Sequence, residues 1–337
     1  MKDGNRMRSL IERNEQYSTR RLASVLDRPI FRVDQLACAA AAETIRAYHA
    51  SLDTMPWGTL PPANQLVFKL AFVAICHQFN WDFLQDRLAK HILAEDQQHM
   101  IRRISATRSD ELQEWLAGYD KPERIQATRR AAMLRDVGKE LLACGGDALA
   151  LVALAGNRID GLTGFVNQLN RFEAYRLDPL HKKSYVLIQD LVREGIVRFE
   201  DEDSLRPAID YHIMRLYLRS GRVVPLHDVV ADELRGKPRP RPRLVHLLRE
   251  AVGEALQVTA SYARLSIPEM NYVEWQLGRS VCERDTPACL KTERPAGLDA
   301  DIARIFVGNC PYIGFCQACR DPERRKLQEP RFVSTFY

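Results

Sequence analysis

The chain has 337 residues, 46% hydrophobic and 28% charged, which is enough apolar content for a real core and excludes global disorder. A formal net charge of +5 allows a polyanionic partner without requiring one. No apolar run approaches the roughly 20 residues of a membrane helix, and the polar N-terminal stretch lacks the core of a secretory signal, so no membrane partner and a cytoplasmic location are expected.

Apolar residues at spacings of three and four predict helices over 11–25, 34–50, 62–79, 81–100, 110–116 and 123–144. The last of these stops at Gly145-Gly146. The pattern continues over 148–155, 160–170, 181–194, 204–220, 244–256 and 267–279, with no alternating run or strand-turn-strand signal between. The expected class is all-α. Residues 1–145 form an N-terminal helical region, 146–280 a second helical region holding the reactive centre, and 281–337 a cysteine loop with a basic tail. Two breaks interrupt the helices, TMPWGTLPP at 54–62 and KPRPRPR at 237–243. The second is expected to be an extended cationic connector, because each Pro removes an amide donor, and Arg239 and Arg241 could lie along phosphates.

Eight cysteines are present. Cys38, Cys76 and Cys144 fall within helical pattern and read as small core residues. Cys282, Cys289, Cys310, Cys316 and Cys319 crowd near the C-terminus, which favours a metal over disulfides in a chain without an export signal. Thiolates are soft ligands that suit a [4Fe–4S] cluster or tetrahedral zinc. The single C-x2-C spacing, Cys316 to Cys319, favours iron–sulfur, since zinc sites usually pair two such knuckles.

The loop resembles that of helix-hairpin-helix DNA glycosylases of the endonuclease III type, whose cluster ligands are spaced C-x6-C-x2-C-x5-C. Here Leu277-Gly278-Arg279 leads into Cys282, Pro287 and Cys289, and Cys310 and Cys316 keep the final spacing after a twenty-residue insertion. The resemblance implies Cys282, Cys289, Cys310 and Cys316 as ligands, with Cys319 the spare or a substitute for one of the last two. It also implies that Arg320, Arg324 and Arg325 face DNA. Upstream, Ile209-Asp210-Tyr211-His212-Ile213-Met214-Arg215-Leu216-Tyr217-Leu218-Arg219-Ser220-Gly221 is similar to the family's Val-Asp-x-His-Val-x-Arg-Val-x-x-Arg-x-Gly helix. Asp210 then stands at the family's essential carboxylate, and Arg215 and Arg219 at positions read as nucleic-acid-binding. Lys183, in Lys182-Lys183-Ser184, matches the lysine that forms a Schiff base with the sugar in lyase members, and Lys182 is a neighbouring cation for phosphate. The chain departs from the family where Leu177-Asp178-Pro179-Leu180-His181 replaces the glycine hairpin. The similarity spans 178–319.

What the resemblance implies is a helix-hairpin-helix-like bundle of two helical lobes with a C-terminal metal-cluster loop, in a monomer that flips a damaged or modified DNA base and hydrolyses its N-glycosidic bond, with a lyase step if Lys183 acts. A flipped base needs stacking faces and hydrogen-bonding edges, for which Gln78, Asn80, Trp81, Tyr211 and Tyr217 are the candidates. Two alternatives stand beside this reading. One is a nucleosidase for a modified nucleoside on the same fold; the other is a non-catalytic nucleic-acid-binding protein with a metal-stabilised tail.

Overall fold

A computed structural model describes residues 29–48, 59–178, 180–235, 242–295, 298, 300–306 and 308–330. The described chain is mostly helical, as its periodicity predicts. A short strand β1 (Phe31–Val33) leads into α1 (Gln35–Ile45), whose first turn is closed by the Asp34 side chain accepting from Ala37 N–H. Then come α2 (Pro62–Ile75), α3 (Trp81–Ile92), α4 (Gln97–Ser105), α5 (Ser109–Trp115), α6 (Ala127–Ala143) and α7 (Ala148–Leu154). Two single-turn helices, α8 (Phe165–Leu169) and α9 (Glu173–Arg176), precede α10 (Lys182–Arg193) and α11 (Tyr211–Ser220). Beyond strand β2 (Val223–Pro225) lie α12 (Asp228–Arg235), α13 (Pro242–Ala263) and α14 (Ile267–Gln276), which runs on into a π-turn at Leu277–Val281. Short helices α15 (Ala300–Arg304), α16 (Gln317–Arg320) and α17 (Pro322–Arg325) complete the described chain.

Several expectations are corrected. The 81–100 helix is two, because the chain turns after Ile92 and Asp96 starts α4 afresh by accepting from Gln98 and His99 N–H. The 204–220 helix begins only at Tyr211, leaving Pro207 outside it. The two strands, unforeseen, pair antiparallel with Phe31 opposite Pro225 and Val33 opposite Val223. α13 starts at Pro242, so the end of KPRPRPR is already helical; Pro fits a first turn because its missing N–H has no intrahelical role there. Arg239 and Arg241 lie outside the described residues.

The apolar core forms two clusters. One is built from α2–α10 and the segment reaching Ala208. The other joins α1 to everything from Ile209 onward, with α1 packed along α13. The expected division at 145/146 therefore runs through the interior of the first lobe, and the segment after Ile30 belongs with the second. The lobes change over between Ala208 and Ile209, one residue before Asp210.

Candidate functional site

A cavity of about 610 Å³ opens between the lobes, where the end of α2, the start of α3, α10, the start of α11 and α14 converge. Its apolar walls are aromatic. Trp81 meets Trp275 at 5.4 Å between ring centroids and stands edge-on to Phe72 at 4.9 Å, while Tyr272 lies beside Trp275 at 6.5 Å. Arg279 stacks on Trp275 at 5.0 Å and reaches Asp82 at 3.1 Å, linking the second lobe to α3.

Asp210 enters this cavity from the N-terminus of α11. It is the N-cap: its Oδ1 accepts from Ile213 N–H at 2.9 Å, and its backbone is extended, which aims the side chain out of the helix. The residue is 4% exposed. Two neighbours lie on the same wall: Tyr211, a pocket candidate from the sequence, and His212, which is not among the site residues expected from sequence. Burial pulls the His212 imidazole down to about 4, and pushes the Tyr211 phenol up to about 12, so both are neutral at pH 7. His212 and Arg215 both stand in the motif, three residues apart on α11, and the Arg215 guanidinium lies 3.0 Å from His212 Nδ1.

Lys183 lines the cavity from α10 at 2% exposure, its Nζ donating to the Ala74 carbonyl at 2.5 Å. Burial pulls its amine down to about 8, with the Lys182 and Arg130 charges acting in the same direction. An appreciable neutral fraction at mildly alkaline pH is what a nucleophilic amine requires. Lys182, Gln78 and Trp81 line the same cavity. Asn80 instead caps α3, accepting from Phe83 N–H at 3.2 Å. Farther along the wall, Lys69 joins Glu194 at 2.6 Å and Asp190 at 3.3 Å, and burial raises the Glu194 carboxyl.

Tyr217 is not a cavity residue. It is fully buried in the second lobe, donating to Glu274 at 3.1 Å beneath the Arg222 guanidinium, which is itself bidentate on Glu274. Arg215 and Arg219 are also corrected. They are 3% and 2% exposed, so neither presents a charge to a phosphate. Arg215 donates to the Cys282 and Gly278 carbonyls and pairs with Glu329, and Arg219 donates to the Leu327, Glu283 and Arg284 carbonyls. They fasten the cysteine loop to α11. Gly278 is needed for that fit, since a Cβ there would come within 2.6 Å of the His212 carbonyl. Arg320 is exposed on the C-terminal segment and Arg324 half-buried, while Arg325 turns inward to the Ala318 and Cys319 carbonyls.

The turn replacing the glycine hairpin is closed by its own anion. Asp178, buried, accepts from Leu180 N–H at 3.0 Å and Lys182 N–H at 2.6 Å, with Arg249 at 3.7 Å. Free amides at a helix start can bind phosphate, but here Asp178 takes those of Leu180 and Lys182.

Cys282, Cys289, Cys310, Cys316 and Cys319 all line one small cavity beside Leu277, Arg219 and Tyr312, and none is in a disulfide. Among the described residues no three His, Cys, Asp or Glu side chains are gathered closely enough to hold a single metal ion. Of the remaining cysteines, Cys38 is core, Cys144 is half-buried, and Cys76, read as core, also lines the inter-lobe cavity. No described helix is long and apolar enough to cross a membrane. The chain matches no protein-family model, and no curated protein matches it.

Proposed function

We propose that this chain is an N-glycosylase of the helix-hairpin-helix type that takes a damaged or modified DNA base into the inter-lobe cavity and hydrolyses its bond to the sugar. The observation that carries this is the buried Asp210 carboxylate in a cavity lined by the aromatic side chains of Trp81, Trp275, Tyr272 and Tyr211. Aromatic faces hold a planar ring by stacking. As the C1′–N bond breaks, positive charge grows on the sugar, and a fixed carboxylate in a water-poor site stabilises it or orients the attacking water. Lys183, half neutral near pH 8, is placed in the same cavity to add to C1′ and open a lyase path.

The five thiols around one cavity suit a soft-metal centre. We assign Cys282, Cys289, Cys310 and Cys316 to a [4Fe–4S] cluster with Cys319 spare; the alternative, a single zinc ion, would need the thiols drawn closer together than they stand. The cluster would supply a cross-link among the segments of the loop, which the Arg215 and Arg219 anchors hold to α11. Asp210, Lys183 and the aromatic walls do the chemistry.

A second reading, a nucleosidase for a free modified nucleoside, is favoured by one observation. Asp178 already occupies amides that could otherwise bind a duplex phosphate. One experiment decides between them. The protein is incubated with duplexes carrying a panel of modified bases and with the matching nucleosides, and released base is measured with and without alkali and borohydride. Release from duplex, lost in Asp210→Asn, supports the glycosylase; release from nucleoside alone supports the nucleosidase. If Asp210→Asn retains the activity of the unmodified protein, Asp210 is not the carboxylate that either reading needs and both fall as argued; if the unmodified protein releases no base from any substrate, a nucleic-acid-binding role replaces them.

A further inference from the structure

His77 sits just after α2, 4% exposed, and lines the inter-lobe cavity. Its surroundings fix its protonation. Arg130, fully buried, donates to the carbonyls of Ile75, Ile125, His77 and Arg124, and its Nη1 also stands 3.3 Å from His77 Nδ1. A guanidinium has only donors, so Nδ1 must accept, and the ring proton must therefore sit on Nε2. Burial acts most on the ring, followed by the cationic charges of Arg130, Lys183, Arg129 and Lys182. Together they hold the imidazole far below its usual range, so it is a neutral donor at any working pH. That Nε2 atom is buried and has no hydrogen-bond partner. Leaving a buried donor unpaired costs about 1–3 kcal/mol, an expense that a bound ligand would remove.

Resting on the N-glycosylase reading, we propose that His77, locked as the Nε2–H tautomer by Arg130, is the donor that binds an acceptor edge of the base and holds its growing negative charge as it leaves. In the step, the C1′–N bond pair stays on the base. Water supplies hydroxyl to C1′ and the remaining proton ends on the base. His77 keeps its own proton throughout and transfers none. Asp210 thus faces the positive half of the breaking bond and His77 the negative half. The substrate class narrows accordingly to bases with a carbonyl oxygen or unprotonated ring nitrogen at the edge facing His77. Arg130 is a positioning residue that acts through the ring.

The test uses the full chain in two measurements. Long-range nitrogen–proton NMR with labelled histidine should show His77 neutral with the proton on Nε2 from pH 5 to 8; a cationic ring or the Nδ1–H tautomer would overturn the assignment. Kinetics then compare wild type with His77→Phe and His77→Gln on the released base and two analogues that differ in acidity of the glycosidic nitrogen. Loss of the donor in His77→Phe should lower kcat by about 100-fold, leave KM within a few-fold, and cost most for the least acidic leaving base. His77→Gln, which keeps an N–H donor, should recover part of the rate. An equal loss for all three bases, or no recovery with Gln, contradicts the proposal while leaving the Asp210 reading intact. If wild type releases no base from any substrate, both fall together.

Discussion

Asp210 does two things from one position: it caps α11 and it faces the cavity. The two can be separated, because Asn caps a helix about as well as Asp while carrying no charge. Asp210→Asn should therefore leave the thermal midpoint nearly unchanged yet lower base release at least about 100-fold. Asp210→Ala should add a stability loss of about 1 kcal/mol for the missing cap, read by denaturant unfolding. Lys183 makes a prediction in pH. Its amine is the nucleophile only when neutral, so borohydride trapping should rise as pH passes through about 8 and then level off. The same shift bears on stability. Between pH 8 and 10.5 the unfolded chain binds the proton that the folded chain has released, so folding gains with rising pH in that window. Any advantage of Lys183→Met over wild type in unfolding free energy should shrink across the same interval.

α11 shows which parts of the site were legible in the sequence. The motif and the helix end at Ser220 were, because they are local, and Gly221 takes a φ of 85° that suits glycine alone; the start was not, being expected at 204 where the structure has Asp210 cap a helix from Tyr211. The direction of its side chains was less legible. Tyr217 lies six residues past Tyr211, about 240° around the helix, and that turn carries it away from the cavity toward Glu274. Arg215 and Arg219 look like phosphate contacts in a string of letters. Only the folded cysteine loop reveals the carbonyls that use their donors. Arg219→Met would strand three carbonyls and loosen that loop, so an unfolding free energy lower by about 2–5 kcal/mol is expected in chemical denaturation. Strands β1 and β2 left no trace in the pattern, since three residues are too few for an alternating signal and their partners are distant in sequence. His77 was hidden for a similar reason: nothing near it in sequence announces Arg130.

At the scale of the molecule, the site is a seam. The lobes have separate apolar cores, and the chain crosses between them immediately before Asp210, so the carboxylate comes from one lobe while Lys183, His77 and Trp81 come from the other. Trp81 against Trp275 and Asp82 against Arg279 join the two sides. The ion pair is exposed at Asp82 and contributes little, whereas the ring contact is of the kind worth about 0.5–1.5 kcal/mol. Trp275→Ala should accordingly weaken both substrate binding and the contact between the lobes, raising KM more than it lowers kcat. The cysteine loop belongs to the Asp210 lobe, and metal analysis should find iron and sulfide there. Cys282→Ser should lose the visible chromophore and Cys319→Ser should keep it. The most direct measurement of the whole account is base release from the duplex and nucleoside panel by wild type and Asp210→Asn side by side. The account predicts release by wild type and its near-complete loss in a variant that still folds. Equal release by the two, or none by wild type from any substrate, would contradict it.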